Sequence, residues 1–272
     1  MVVGTLTIGE WIVRANRAVE KLPYGDADVR WICEEVLRLD PGHLRLERNR
    51  VLTESEQAEL DAALEKRLSG VPVQYIFSRA PFMGFTFYVD EDVLIPRMDT
   101  EVLCEEALLF LKTVPSPQVL DLCAGSGAIG LSLKRLCPDA RVTLSDISPG
   151  ASRVQKINAE RDDAEILTGD LFDTVAGRKF DLIVCNPPYI ETAELETLDD
   201  EVKREPMLAL DGGADGLTFY RRLAEEYRAH LNPGGRLYME IGYNQDQSVG
   251  RLFPGSRLIR DLGGLPRVIR TE

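Results

Sequence analysis

Residues 119–130 read VLDLCAGSGAIG. The apolar run around Asp121 predicts a buried strand, and the glycines end it. Gly125, Gly127 and Gly130 satisfy Gly-x-Gly-x-x-Gly, a loop that carries a strand into a helix. Glycine there lets a ligand approach the backbone with no Cβ in the way. Asp146 follows 21 residues beyond Gly125, the distance at which an acid meets a ribose hydroxyl. The loop therefore predicts a ribose-bearing cofactor. By spacing alone, a nicotinamide dinucleotide and S-adenosylmethionine both remain open. Asp121 bears on the choice. A carboxylate at a strand's end repels a pyrophosphate and attracts an ammonium or a sulfonium.

Outward from this loop the pattern repeats. Strands are predicted over 119–122, 141–145, 166–167, 180–185 and 236–241, and helices over 128–136, 149–159 and 217–231. Strands separated by helices of this length make an α/β, Rossmann-like fold: a mostly parallel sheet with helices on both faces. Before it, residues 72–97 carry partly alternating aromatics about Gly84, which reads as a β-hairpin linker. The first third is helical. Ile8, Trp11, Ile12, Ala15 and Val19 recur at helical spacing, as do Val29, Ile32, Cys33, Val36 and Leu37. Thr53 and Glu56 form a capping-box signature before a third run. Pro23 and Gly25, then Pro41 and Gly42, read as the breaks between runs. Three helices in a small bundle are expected.

Composition narrows the classes. The chain has 272 residues, 44% hydrophobic and 28% charged, which is ordinary for a globular protein. No apolar run approaches the ~20 residues of a membrane span. Residues 1–11 lack the basic flank and apolar core of a leader. Five cysteines and two histidines, with no Cys-x-x-Cys, argue against a disulfide framework or a structural zinc. A reduced, cytoplasmic, metal-free protein is expected. The net charge of −13 argues against a partner held mainly through phosphates.

A second motif ends the fourth strand: Asn186-Pro187-Pro188-Tyr189. Two prolines remove two backbone donors and stiffen the chain. The carbonyls of Asn186 and Pro187 are left as acceptors, the Asn186 side chain adds another, and Tyr189 adds a flat face. Such a set suits a planar group bearing an NH2, whether a carboxamide or a nucleobase amine.

With these residues in view, the chain resembles class I S-adenosylmethionine-dependent methyltransferases, and more closely the release-factor glutamine methyltransferases. The resemblance runs through Pro72-x-Gln74-Tyr75-Ile76, residues 94–101 (Leu94 to Glu101) and Asn186-Pro187-Pro188-Tyr189-Ile190. It continues through Glu205-Pro206-x-x-Ala209-Leu210, Gly212-Gly213-x-x-Gly216-Leu217, Glu240-Ile241-Gly242 and Gln245. It covers residues 70–270 densely and the helical start loosely. Cys123 stands where the family commonly has glycine, and Leu171 where an aromatic commonly follows Gly169-Asp170.

The resemblance implies methyl transfer from S-adenosylmethionine to the glutamine side-chain nitrogen in the Gly-Gly-Gln motif of peptide chain release factors. It implies cofactor contacts from Asp121, Cys123, Ala124, Gly125, Ser126, Gly127, Asp146, Asp170, Leu171 and Asn186. Catalysis would fall to Asn186, Pro187 and Tyr189, and substrate binding to these with Pro188. The chain is expected to divide into a helical domain over 1–71, for substrate recognition or alternatively for packing or dimerisation, the hairpin linker over 72–98 and a methyltransferase domain over 99–272. A monomer that contacts no nucleic acid or membrane is expected.

No general base is indicated. Positioning is expected to drive an in-line transfer, with the nitrogen ~3–3.5 Å from the methyl carbon. Residues 190–215 are too long for an idle connection and read as a lid or partner loop, with Arg204 and Glu205 as a solvated pair on it. The alternatives are an N-methyltransferase acting on a ribosomal-protein glutamine, which the residues alone do not separate from release factor, and one acting on a nucleobase exocyclic amine, which would want a basic face that a net charge of −13 does not offer. A nicotinamide-dependent oxidoreductase is disfavoured by Asp121 and the proline pair.

Overall fold

The structure, a computed structural model, describes residues 5–272. Residues 1–4, which open the expected helical domain and the stretch read for a leader, lie outside the described residues. The chain divides into two compact units. One runs to Ser78 and takes in Asp200–Arg204; the other comprises Arg79–Asp199 and Glu205–Glu272.

The first unit contains α1 (Ile8–Ala18), α2 (Gly25–Leu37), α3 (Pro41–Leu46), α4 (Glu54–Leu68) and α5 (Val73–Phe77). Capping boxes open α1 (Thr7 with Glu10) and α4 (Thr53 with Glu56). Each satisfies two donors that a helix start leaves orphaned. Ile8, Trp11, Ile32, Leu60 and Leu64 meet in one core. Two helices beyond the three expected are present. Pro41 and Gly42 read as breakers, yet Asp40 accepts from the amides of Gly42 and His43 and starts α3 with Pro41 in its first turn, where proline's missing N–H costs nothing. Residues 73–77, expected to open the hairpin, instead form α5, with Val73 in the helical core. Arg67 is buried at 2% exposure between the carboxylates of Asp28 and Glu201.

The second unit begins with the expected hairpin, β1 (Ala80–Phe82) and β2 (Phe85–Phe87), which turns at Met83 and Gly84, both at positive φ. There follow α6 (Glu101–Leu111), β3 (Gln118–Leu122), α7 (Ala128–Leu136), β4 (Arg141–Asp146), α8 (Pro149–Asn158), β5 (Ala164–Thr168) and β6 (Phe180–Cys185). The chain ends with α9 (Thr218–Glu226), β7 (Leu231–Glu240), α10 (Asp246–Leu252), β8 (Arg257–Arg260) and β9 (Pro266–Arg270). Strands β3 to β9 form one sheet in the order β5-β4-β3-β6-β7-β9-β8. The pairs from β5 to β7 are parallel; β9 pairs antiparallel with β7 and β8. The helix expected to reach 231 gives way to a 3-10 turn at Tyr227–His230, and β7 starts earlier than expected.

Successive strand residues feed opposite cores. Val119, Leu182 and Val184 pack with α6 and α7 residues such as Leu103 and Leu131. Leu120, Leu122, Ile183 and Cys185 pack with Tyr220 and Leu223 of α9. Both faces are covered, which is why these strands read as continuous apolar runs. The strand order reverses between β3 and β6. Their carboxyl ends therefore border the crevice where open α/β sheets bind ligands.

Candidate active site

The glycine loop fills one side of that crevice. Cys123, Gly125 and Gly127 all take positive φ, at 55°, 52° and 80°. The three fingerprint glycines serve different ends. A Cβ on Gly130 would lie 2.4 Å from Leu144 and 3.0 Å from Asp121 Oδ2, and one on Gly127 3.0 Å from Leu144, so both are packing glycines. A Cβ on Gly125 would meet nothing within 4 Å, so its backbone faces open space. The loop is held by its neighbours. Asp146, at the end of β4, accepts from the amides of Gly125 (2.8 Å) and Ser148 (2.9 Å). Gln155 donates to the Gly125 carbonyl, and Asn158 to that of Ser126. Beneath it Asp121 is fully buried. Its Oδ2 accepts from Gly130 N at 2.7 Å, and its Oδ1 has no hydrogen-bond partner among the described residues. Burial, helped by the charge of Asp146, raises its pKa to about 7 despite the Gly130 bond.

The cleft wall brings together Cys123, Gly125, Asp146, Asp170, Leu171, Asn186 and Pro188. Asp121, Ala124 and Ser126 are buried off that wall, and Gly127, Pro187 and Tyr189 are likewise not on it. Leu171 holds a φ of 40°, a costly conformation for a bulky residue and one that clusters at ligand sites. Asp170 beside it pairs with Arg222 of α9 at 2.9 Å. Val93, Leu94, Leu208 and Ala209 complete an apolar outer wall.

Behind Asn186-Pro187-Pro188-Tyr189 lies a polar network that the sequence reading missed. Asn186 Nδ2 donates to Thr100 Oγ1 at 3.4 Å, and the Tyr189 hydroxyl donates to Glu240 Oε1 at 3.2 Å. Burial drives the Tyr189 hydroxyl above the usual tyrosine range, and the charge of Glu240 adds to this. Burial likewise raises the Glu240 carboxyl, while the Thr100 hydroxyl and Arg267 lower it. The Tyr189 backbone sits in a cradle of its own. Gln245 Nε2 donates to its carbonyl at 3.0 Å. A Cβ on Gly212 would lie 2.7 Å from its Cα, and one on Gly216 2.4 Å from its carbonyl oxygen. Thr100, Glu240 and Gln245 fall in segments that carried the family resemblance, and that was their only signal in the sequence.

Residues 190–215 close at their base, where Ile190 N donates to Leu210 O and Gly212 N to Ile190 O. The expected solvated pair of Arg204 and Glu205 does not form. The Glu205 side chain is 1% exposed; it accepts from Ile95 N at 2.9 Å and pairs with Arg97. Arg204 donates to Ser69 O within the helical unit. Glu205 is drawn inward because two donors from the 95–97 segment meet it there. Among the described residues, no group of three or more His, Cys, Asp or Glu is placed to hold a metal. Nor is any helix among them long and apolar enough to cross a membrane.

Comparison with known proteins gives consistent matches. A methyltransferase small domain model matches residues 101–204, and a PrmC N-terminal domain model matches 10–77. A release factor glutamine methyltransferase of Geobacter sulfurreducens is 39% identical over 250 residues, covering 89% of this chain and 87% of that protein. Its counterpart in Clostridium acetobutylicum is 37% identical, covering 89% of each. Among solved structures, a 16S rRNA N2 G1207 methyltransferase of T. thermophilus, in complex with AdoMet and guanosine, aligns with a TM-score of 0.52. It is 20% identical, over 71% of this chain and 49% of that one, a likeness of fold alone.

Proposed function

This chain belongs to the release factor glutamine methyltransferase family, and on that premise we propose that it methylates the glutamine of the Gly-Gly-Gln motif in peptide chain release factors. It is an S-adenosylmethionine-dependent protein-glutamine methyltransferase. The acceptor is the side-chain nitrogen, N5. The observation that carries this reading is Asn186 on the cleft wall, its Nδ2 committed to Thr100, followed by two prolines without amide hydrogens.

The site fits a ribose-bearing cation. Gly125 has open space where a Cβ would stand, and Asp121 keeps one buried oxygen without a hydrogen-bond partner among the described residues. When bound, S-adenosylmethionine supplies an electrophilic sulfonium methyl group. Asp146 is proposed to hold its ribose hydroxyls, and Asp170 and Leu171 to flank its adenine. Asp121 attracts its charge from below. Cys123, Ala124, Gly125, Ser126 and Gly127 shape the loop that it rests on.

An amide nitrogen is a poor nucleophile because its lone pair is delocalised. Asn186 Oδ1 and the Pro187 carbonyl accept its two hydrogens, which orients the nitrogen and favours electron density growing there. Tyr189 and Pro188 hold the amide plane. Pro188, Leu171 and Leu94 keep the wall apolar, which suits a step that spends a positive charge. His230 stacks on Phe172 at 4.5 Å and takes no part. The proton leaves to water.

Mass spectrometry of release factor after incubation with the enzyme and S-adenosylmethionine tests the reading. One methyl group on the Gly-Gly-Gln glutamine is expected. Asn186→Ala should keep cofactor binding and lose turnover by about 100-fold or more, since alignment goes while affinity stays. A methyl group on another residue, or on nucleic acid with release factor untouched, would overturn the substrate. Near-normal turnover by Asn186→Ala would overturn the mechanism.

A further inference from the structure

We propose that Asn158 is a positioning residue for the cofactor, tying the glycine loop to the 88–94 segment so that two walls of the cleft keep a fixed spacing. This rests on the proposed placement of S-adenosylmethionine on the glycine loop. Residues 72–98 read from the sequence as a linker, yet Asp92, Val93 and Leu94 line the same cleft as Cys123, Gly125 and Asp146. The hairpin ahead of them is a sheet of its own. The ladder of the large sheet therefore does not fix where this wall stands. Side chains of α8 do.

Asn158, the last residue of α8, is half-buried and makes three hydrogen bonds. Its Oδ1 accepts from Tyr88 N at 2.7 Å. Its Nδ2 donates to Tyr88 O at 3.0 Å and to Ser126 O at 2.9 Å. One amide group thus grips both backbone groups of Tyr88 and a carbonyl of the glycine loop. The residue type follows from this. Among side chains this short, only a carboxamide offers an acceptor with two donors.

The rest of α8 supports the same geometry. Ala151, Gln155 and Asn158 recur at i, i+4 and i+7, which puts them on one helix face. Ala151 lines the cleft, and the fully buried Gln155 donates to Gly125 O at 3.1 Å. Arg153, half-exposed on the same helix, pairs with Asp90 (2.6 Å) and Asp92 (2.9 Å). Asp90 closes a turn, accepting from Asp92 N at its side chain (3.2 Å) and from Val93 N at its carbonyl (3.1 Å). That turn sits close on α8, since a Cβ on Gly150 would lie 2.5 Å from Asp92 Cγ. The 88–94 segment is therefore held at two points, by Asn158 at Tyr88 and by Arg153 at the turn. With either hold loosened, a ligand lodged between the walls must restore their spacing at a cost in affinity. Asn158 itself does not line the cleft. Its loss falls on cofactor binding and not on the transfer step.

The test uses the full-length enzyme, with calorimetry for S-adenosylmethionine and steady-state methylation of release factor. Asn158→Leu, close in shape, should weaken cofactor binding about tenfold or more and raise the cofactor KM to match. The kcat at saturating cofactor should stay within about twofold of wild type, with the binding stoichiometry unchanged. Arg153→Gln should weaken binding about threefold. Wild-type affinity in Asn158→Leu, or a loss confined to stoichiometry or melting temperature, overturns the proposal and makes Asn158 a structural residue only. If Asn158→Leu does not fold, Arg153→Gln decides, with unchanged affinity as the overturning result. Full affinity in Asp146→Ala would instead overturn the placement of the cofactor on the glycine loop, a separate failure.

Discussion

In the cofactor site proposed above, Asp121 is the residue on which the electrostatics turn. It lies fully buried, with one oxygen on Gly130 N and the other without a hydrogen-bond partner among the described residues, and its pKa is raised to about 7. The sign follows from the direction of that shift. Between the ordinary aspartate value of 3.8 and about 7, the folded chain holds a proton that the unfolded chain does not. Through this group the ligand-free fold loses stability as pH rises across that window, and it changes no further above it. A bound cation reverses the balance, because it favours the carboxylate and expels the proton. Cofactor affinity should therefore rise by up to ~tenfold per unit as pH approaches 7 from below, and then level off. Calorimetry near pH 6.5, in two buffers of different ionisation heat, should detect a released proton, and none near pH 8.5. Affinity that stays flat from about pH 6 to pH 8, with no proton exchanged, would remove Asp121 from cofactor binding.

Strand ends, more than single side chains, build this site, and strands β3 to β6 were also the most legible elements. Their apolar runs are continuous because both faces of the sheet are covered, and each ends in a motif with its own chemistry. Helix α3 was misread because Pro41-Gly42 looks like punctuation. Asp40 ahead of it makes the same pair a helix start. The antiparallel β8 and β9 have short runs and no helix between them, so the βα rhythm offered no hint of them. The bonds from Asn186 to Thr100 and from Tyr189 to Glu240 were illegible for another reason. Their partners lie far apart in the chain, and only the folded structure brings them together. Glu205 shows the same limit. It reads as a solvated charge beside Arg204, but it joins the 95–97 segment to the base of the 190–215 segment. Glu205→Ala should strand the buried Ile95 amide and cost ~1–3 kcal/mol locally. Hydrogen exchange at Ile95 should speed up accordingly in Glu205→Ala. Glu205→Gln, which keeps an acceptor, should speed it far less. Unaltered exchange in the alanine variant would mean that Glu205 does not hold this wall.

Across the whole molecule, two units each carry a core, and the cleft is lined by residues of the second unit only. The chain supplies a natural pair of reporters. Its two tryptophans, Trp11 and Trp31, both lie in the helical unit. Trp11 is fully buried and donates to Asp61 Oδ1 at 2.7 Å, and Trp31 donates to Glu35 Oε1 at 3.3 Å. Tryptophan fluorescence therefore follows the helical unit, while loss of strand signal in far-ultraviolet circular dichroism follows the sheet. A ligand that binds only the folded state stabilises whatever unfolds with its site, by ~2.7 kcal/mol at a hundred times its dissociation constant. Saturating S-adenosylmethionine should raise the midpoint of the sheet transition by several degrees, on the order of 2–4 °C per kcal/mol for a unit of this size. The tryptophan transition should stay where it was, since no residue lining the cleft belongs to the helical unit. An equal rise in both transitions would show that the two units unfold as one cooperative body. A shift in the tryptophan signal alone would contradict a cofactor site built at the ends of β3 to β6.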